Sequence, residues 1–148
     1  MSAIYRLMIG FTFLAAASAQ YAFAQAQNTA ASKSVERGRY LVKIAGCNDC
    51  HTFGYAETGG RVPEKEWLTG SQVGWRGPWG TTYPTNLRLF FQSFSEKQWV
   101  TIAKTAKFRP PMPWFALHDM TAEDLRAIYR FIRYLGPGGK PAPAFVPP

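Results

Sequence analysis

The residues most able to do chemistry stand together as Cys47-Asn48-Asp49-Cys50-His51. Two thiols separated by two residues can each add across one vinyl group of a haem, giving two thioether bonds. The next residue, an imidazole, is then held on a short tether as an axial ligand of the iron. Competing chemistries draw on the same atoms. A thioredoxin-like redox pair expects a βαβ setting, and the sequence pattern offers none. A disulfide between cysteines so close would close a small loop and gain little. A tetrahedral zinc site needs four ligands, and the chain holds 2 Cys and 2 His in all, which leaves no margin. Covalent attachment of a single haem c is the chemistry these residues fit best.

The iron has a second axial position. Met112 is the first choice for it, because the prolines of Pro110-Pro111-Met112-Pro113 stiffen a loop that can press the thioether against the open face. His118, Met120 and an open position are the alternatives. His118 also reads as a surface loop residue, and Met120 as the residue packing before a helix cap at Thr121. Ligation by His51 and Met112 raises the potential and fills both axial sites, which suits electron transfer over oxygen chemistry. Two haem propionates need donors where they are partly buried, and Arg76, Trp79, Tyr83, Asn86 and Arg88 are available. Each also has a plain reading, the rings as core and the arginines as solvated surface. Lys43, Lys104, Lys107 and Arg109 could rim the haem edge and steer an acidic partner.

These groups need elements to carry them. Residues 1–24 read as a cleaved signal peptide: Arg6 precedes the apolar stretch 7–17, and Ala22-Phe23-Ala24 fits the small-x-small cleavage pattern. The export this implies places the thiols in an oxidising compartment, the periplasm, where a free pair would not persist. Residues 25–33 read as a flexible lead-in, 34–136 as the folded domain, and 137–148 as a Pro-rich tail, extended or disordered. A first helix is expected over 35–45, with Gly38, Leu41 and Ala45 on one side, Tyr40 and Ile44 beside them, and Gly46 ending it. The stretch 52–94 is long, irregular and rich in glycine. Such a loop makes sense where the chain wraps a large ligand that supplies the missing core. A short helix is expected near 64–68. Ser95 and Gln98 have the form of a capping box, with Phe94 and Trp99 as its hydrophobic staple, ahead of a face made by Trp99, Ile102, Ala103 and Ala106. Thr121 and Asp124 form a second box, and Leu125, Ile128, Tyr129, Ile132 and Leu135 follow at helical spacing. The expected fold is all-α, with about three main helices and a long haem-wrapping loop.

Taken with Gly38-Arg39-Tyr40-Leu41, the Cys47–Thr52 motif, the Pro-Met-Pro loop and the helix after Thr121, the chain resembles the class I cytochromes c over most of its length. The resemblance implies a cytochrome c-like fold in which the first and last helices cross, with Gly38 and Tyr40 or Leu41 meeting Ile128, Phe131 and Ile132. The stretch 109–135 is similar to cytochrome subunits and partners of periplasmic alcohol and aldehyde dehydrogenases. Those subunits often carry three haem motifs, and this chain has one. No catalytic acid, base or nucleophile stands out, so the expected role is electron transfer between a dehydrogenase and a terminal oxidase or other respiratory acceptor. A haem enzyme or gas sensor with an open iron site, and a haem-free thiol-disulfide oxidoreductase, are the alternative functions. The formal net charge of +8 favours acidic partner surfaces. The basic residues are scattered and match no nucleic-acid motif.

Overall fold

In the computed structural model the backbone is described from Ala3 onward, and side chains from Gln20 onward with Ala22 excepted. The expected leader therefore lies largely outside the residues whose side chains are described. The chain forms two compact units, Met1–Lys33 and Ser34–Pro148. Helix α1, Ala3–Ile44, starts well before residue 35, so the stretch 25–33 is helical and is not a flexible lead-in. Its alanines and glutamines are strong helix formers, and neither glycine nor proline occurs between Gly10 and Gly38. Among the described residues, no helix is long and apolar enough to cross a membrane.

The second unit is mainly helical. After α1 come α2 (Cys47–His51), a two-stranded antiparallel hairpin of β1 (Trp75–Gly77) and β2 (Gly80–Thr82), and then α3 (Leu87–Phe90), α4 (Glu96–Thr105), α5 (Trp114–Asp119) and α6 (Ala122–Leu135). The core centres on α6, which buries Leu125, Ala127, Ile128, Phe131 and Ile132 along one face. Burying each of the larger ones contributes about 2 kcal/mol. Helix α1 crosses α6 at Gly38, where a Cβ would lie 2.0 Å from the Ala127 carbonyl oxygen and 2.7 Å from the Phe131 Cβ. Glycine is required there because backbone meets backbone. The buried stripe of α1 is Gly38, Leu41 and Val42, whereas Tyr40, Ile44 and Ala45 are exposed. The contact on α6 includes the expected Phe131, and on its other side falls at Ala127, one residue before the expected Ile128.

Helix α4 starts with the expected capping box, Gln98 N–H donating to Ser95 Oγ at 3.3 Å and Ser95 N–H to Gln98 Oε1 at 2.9 Å. Its Trp99 indole donates to the Leu125 carbonyl at 2.9 Å, and the ring rests on Phe91 while Phe94 rests on Phe90. The box expected at Thr121 forms by half. Thr121 Oγ1 accepts from Asp124 N–H at 3.1 Å, but the Asp124 carboxylate turns to Arg37 on α1 at 2.9 Å. An arginine cation is the stronger partner for a carboxylate than a cap amide.

The stretch 52–94 is more ordered than its glycines suggest. It holds a 3-10 turn over Glu64–Glu66, the hairpin, α3 and a second 3-10 turn over Phe91–Ser93. Leu68 sits at φ 60 and is fully buried. Hydrogen bonds hold it there on both sides: its N–H donates to Thr52 Oγ1 at 2.8 Å, and its carbonyl accepts from Leu87 N–H at 2.9 Å. The Pro-rich tail is extended and docked. Thr81 and Val146 exchange backbone hydrogen bonds of 2.7 and 3.0 Å, an isolated antiparallel bridge that ties the tail to the hairpin.

Candidate functional site

Gly46, at φ 70, ends α1 and turns the chain directly into the one-turn helix α2. Helical spacing of i, i+3 and i+4 puts Cys47, Cys50 and His51 on neighbouring positions of one side. The other side is anchored through Asn48, which is fully buried and accepts from Thr52 Oγ1 at 2.7 Å. The His51 carbonyl accepts from Gly70 N–H at 2.7 Å. Gly70, with φ +79, has Pro84 O and Asn86 N at 2.8 Å from where a Cβ would stand, so the motif is locked onto the 68–70 and 84–86 segments. His51 Nδ1 lies 2.7 Å from the Thr85 carbonyl. A carbonyl can only accept, so Nδ1 carries the proton and Nε2 is left as a free lone pair. Burial holds the His51 pKa below its ordinary value, against the raising effect of the Thr85 carbonyl. The ring is neutral and competent as a ligand at physiological pH.

All three motif side chains line one cavity of about 560 Å³, within the range of cofactor sites. Val42, Phe91, Trp99, Leu117, Ile128 and Ile132 make its apolar floor. Trp75, Thr82, Tyr83 and Thr85 come from the hairpin side, Arg109, Met112 and Met120 from the loop around α5, and Pro143 and Phe145 from the tail. Both cysteines are free thiols. Burial pushes the Cys47 thiol up to about 11, with the Asp49 carboxylate adding to the effect. Cys50 moves in the same direction for the same reasons. Among the described residues, no three His, Cys, Asp or Glu side chains gather into a set able to hold a bare metal ion.

The structure brings Cys47, Cys50, His51, Met112, Met120 and Tyr83 to the cavity and places His118, Asn86, Arg88, Arg76 and Trp79 outside its wall. His118 lies outside the cavity wall. Its Nε2 meets the Ala106 carbonyl at 3.0 Å, and its ring packs 5.0 Å from that of Trp114. It is therefore a half-buried brace between α4 and α5, and not a surface loop residue. Asn86 caps α3 through Leu89 N–H at 3.1 Å and donates to the Gly138 and Lys140 carbonyls. Arg88 spends its guanidinium on the carbonyls of Lys65, Leu135, Gly136 and Pro137, at 2.5 to 3.3 Å. These bonds close the end of α6, whose last carbonyls need donors. Arg76 is exposed on β1. Trp79 packs on Gly77, with its indole N–H buried and without a partner.

Thr82, which sequence reasoning did not single out, has a buried Oγ1 with no partner in the cavity wall. A threonine in a short hairpin carries no signal that separates it from its neighbour Thr81. Of the basic residues, Lys104 is turned inward, its ammonium donating to the carbonyls of His118 and Met120. Lys107 lies 5.5 Å from the Trp114 ring and Arg109 4.2 Å from that of Phe145. Lys43 is exposed.

The class the fold and site define is a mainly helical domain with an apolar cavity walled by two thiols, one neutral imidazole and two thioethers. Comparison with protein-family models, curated proteins and solved structures finds no match to this chain.

Proposed function

We propose that the chain is a monohaem c-type cytochrome of the class I kind, with haem c bound through Cys47 and Cys50 and ligated by His51 and Met112. It would carry single electrons in the periplasm between a dehydrogenase and a respiratory acceptor. The observation that carries this reading is the convergence of Cys47, Cys50, His51 and Met112 on one apolar cavity. The residues fit the group in a second respect. The orphaned Thr82 hydroxyl and the Tyr83 phenol offer donors for a propionate that Asn86 and Arg88, already committed to carbonyls, do not.

Haem, when bound, supplies a one-electron iron couple. The chain's own residues do the rest. Cys47 and Cys50 would hold the group, each through one thioether bond made by adding its S–H across a vinyl group. His51 presents Nε2 because Thr85 holds the proton at Nδ1. The apolar floor would exclude water and so favour the less charged state of whatever it encloses. The net charge, +8 over the full sequence and, without Arg6 of the expected leader, 16 − 9 = +7, would speed encounter with an acidic partner.

The thiol-disulfide reading loses support from two sides. Its nucleophile needs a lowered thiol pKa, and both thiols here are raised by burial; the only sheet among the described residues is the two-stranded hairpin. Mass spectrometry and visible and near-infrared spectra of the exported protein test the proposal. Covalent porphyrin mass, a pigment that survives acidic organic extraction and a sulfur-to-ferric-iron band are expected. An unmodified polypeptide mass would end it.

A further inference from the structure

Resting on that reading of Met112, we infer that the C-terminal segment positions the sixth-ligand loop, with Phe145 acting on Met112 through Arg109. The segment is fixed on either side of Phe145. Upstream, Asn86 Nδ2 donates to the Gly138 and Lys140 carbonyls at 2.8 and 3.0 Å. Downstream, Val146 is paired with Thr81, at a place where a Cβ on Gly80 would stand 2.2 Å from the Val146 carbonyl oxygen. Between these anchors Phe145 lines the cavity and stacks under the Arg109 guanidinium at 4.2 Å. Among the described residues, no carboxylate pairs with Arg109, so the ring is the partner that fixes this cation. The Arg109 carbonyl in turn accepts from Met112 N–H at 3.2 Å, closing the turn that carries the thioether. A chain of direct contacts therefore runs from the hairpin through Val146, Phe145 and Arg109 to Met112. Local opening of a ligand loop is set by the few contacts that hold its base, and here one of them comes from the tail.

The test uses the haem-loaded full chain and reads carbon monoxide uptake by the ferrous protein together with the near-infrared sulfur-to-iron band of the ferric protein. Phe145→Leu keeps apolar cover and removes the π face; Phe145→Tyr keeps the face. Phe145→Leu and Arg109→Ala are each expected to speed carbon monoxide uptake about tenfold and to weaken the band. Phe145→Tyr should stay near wild type, and the double variant Phe145→Leu/Arg109→Ala should be no faster than either single. Thermal unfolding of each variant separates loop release from general destabilisation. Wild-type behaviour of Phe145→Leu, or additive effects in the double variant, would overturn the inference while leaving haem binding intact. A wild-type protein without covalent porphyrin would overturn this inference and the functional proposal together.

Discussion

At the scale of single residues, two thioethers reach the cavity but only one has a loop built around it. Met112 sits inside the turn closed onto Arg109, whereas Met120 is pinned by its backbone carbonyl to Lys104. Met112→Ala is accordingly expected to abolish the near-infrared band, lower the midpoint potential and admit carbon monoxide. Met120→Ala should leave the band in place; the reverse result would exchange the two assignments. The thiols give a pH prediction. With Cys47 protonated up to about 11, its thiolate fraction at neutral pH is about a hundredfold below that of an ordinary cysteine. Alkylation of the haem-free protein should be slow at pH 7.5 and should rise until near that value. A thiol whose folded pKa is raised contributes stability below its unfolded pKa, and loses it as pH climbs through the folded one. Rapid alkylation at neutral pH would show that Cys47 is not buried as described. The motif itself was legible because its chemistry is compressed into five consecutive residues. The duties of Asn86, Arg88 and His118 were not, because each is set by carbonyls 12 to 54 positions away in sequence.

Among the elements, the two helices with caps and amphipathic periodicity, α4 and α6, could be read in advance, because both signals act within a few residues. Helix α5 could not, since its six residues begin at Trp114 behind an N-cap, Pro113, that offers no side-chain cap, and they are held by Lys104 from another helix. The early start of α1 is the opposite case: small polar residues read as a loop signal, whereas the alanine content of the same stretch favours helix. The crossing of α1 with α6 is the tightest junction between elements. Gly38→Ala is expected to cost about 3 kcal/mol, read by urea denaturation. A loss below 0.5 kcal/mol, the ordinary range for surface changes, would mean that the helices do not meet there. Replacing Ser95 by Ala removes a cap at an exposed start, and about 1 kcal/mol is expected from the same measurement.

For the whole molecule, the cavity floor and the core are made of the same side chains: Phe91, Trp99, Leu117, Ile128 and Ile132 belong to both. On the proposed reading, folding and haem retention would therefore be coupled. Protein produced without haem attachment should keep much of its far-ultraviolet helical signal and lose near-ultraviolet ellipticity and a sharp thermal transition. Cooperative unfolding unchanged from the haem-bound form would show that the core is self-sufficient. The glycines of 52–94 do not announce the hairpin and short helices found there, and the tail prolines do not announce that the tail closes one side of the cavity, since proline content describes conformation and not contact.

Arg88 joins three stretches of chain through carbonyl oxygens alone, whereas α1 and α4 are tied to α6 by carboxylates, Asp124 to Arg37 and Glu96 to Arg126 and Arg130. Carbonyls do not take up protons at moderate acidity. Hydrogen bonding to Arg37 holds the Asp124 pKa below its usual range, so the stability this pair adds is present above the ordinary carboxylate value and fades as pH falls through the lowered one. Acid should then peel the molecule apart in order, releasing the outer helices while the knot around Arg88 stays tied. Amide exchange followed during a stepwise acid titration would register that sequence as early loss of protection at Leu41 in α1 and Ala103 in α4, and late loss at Leu135.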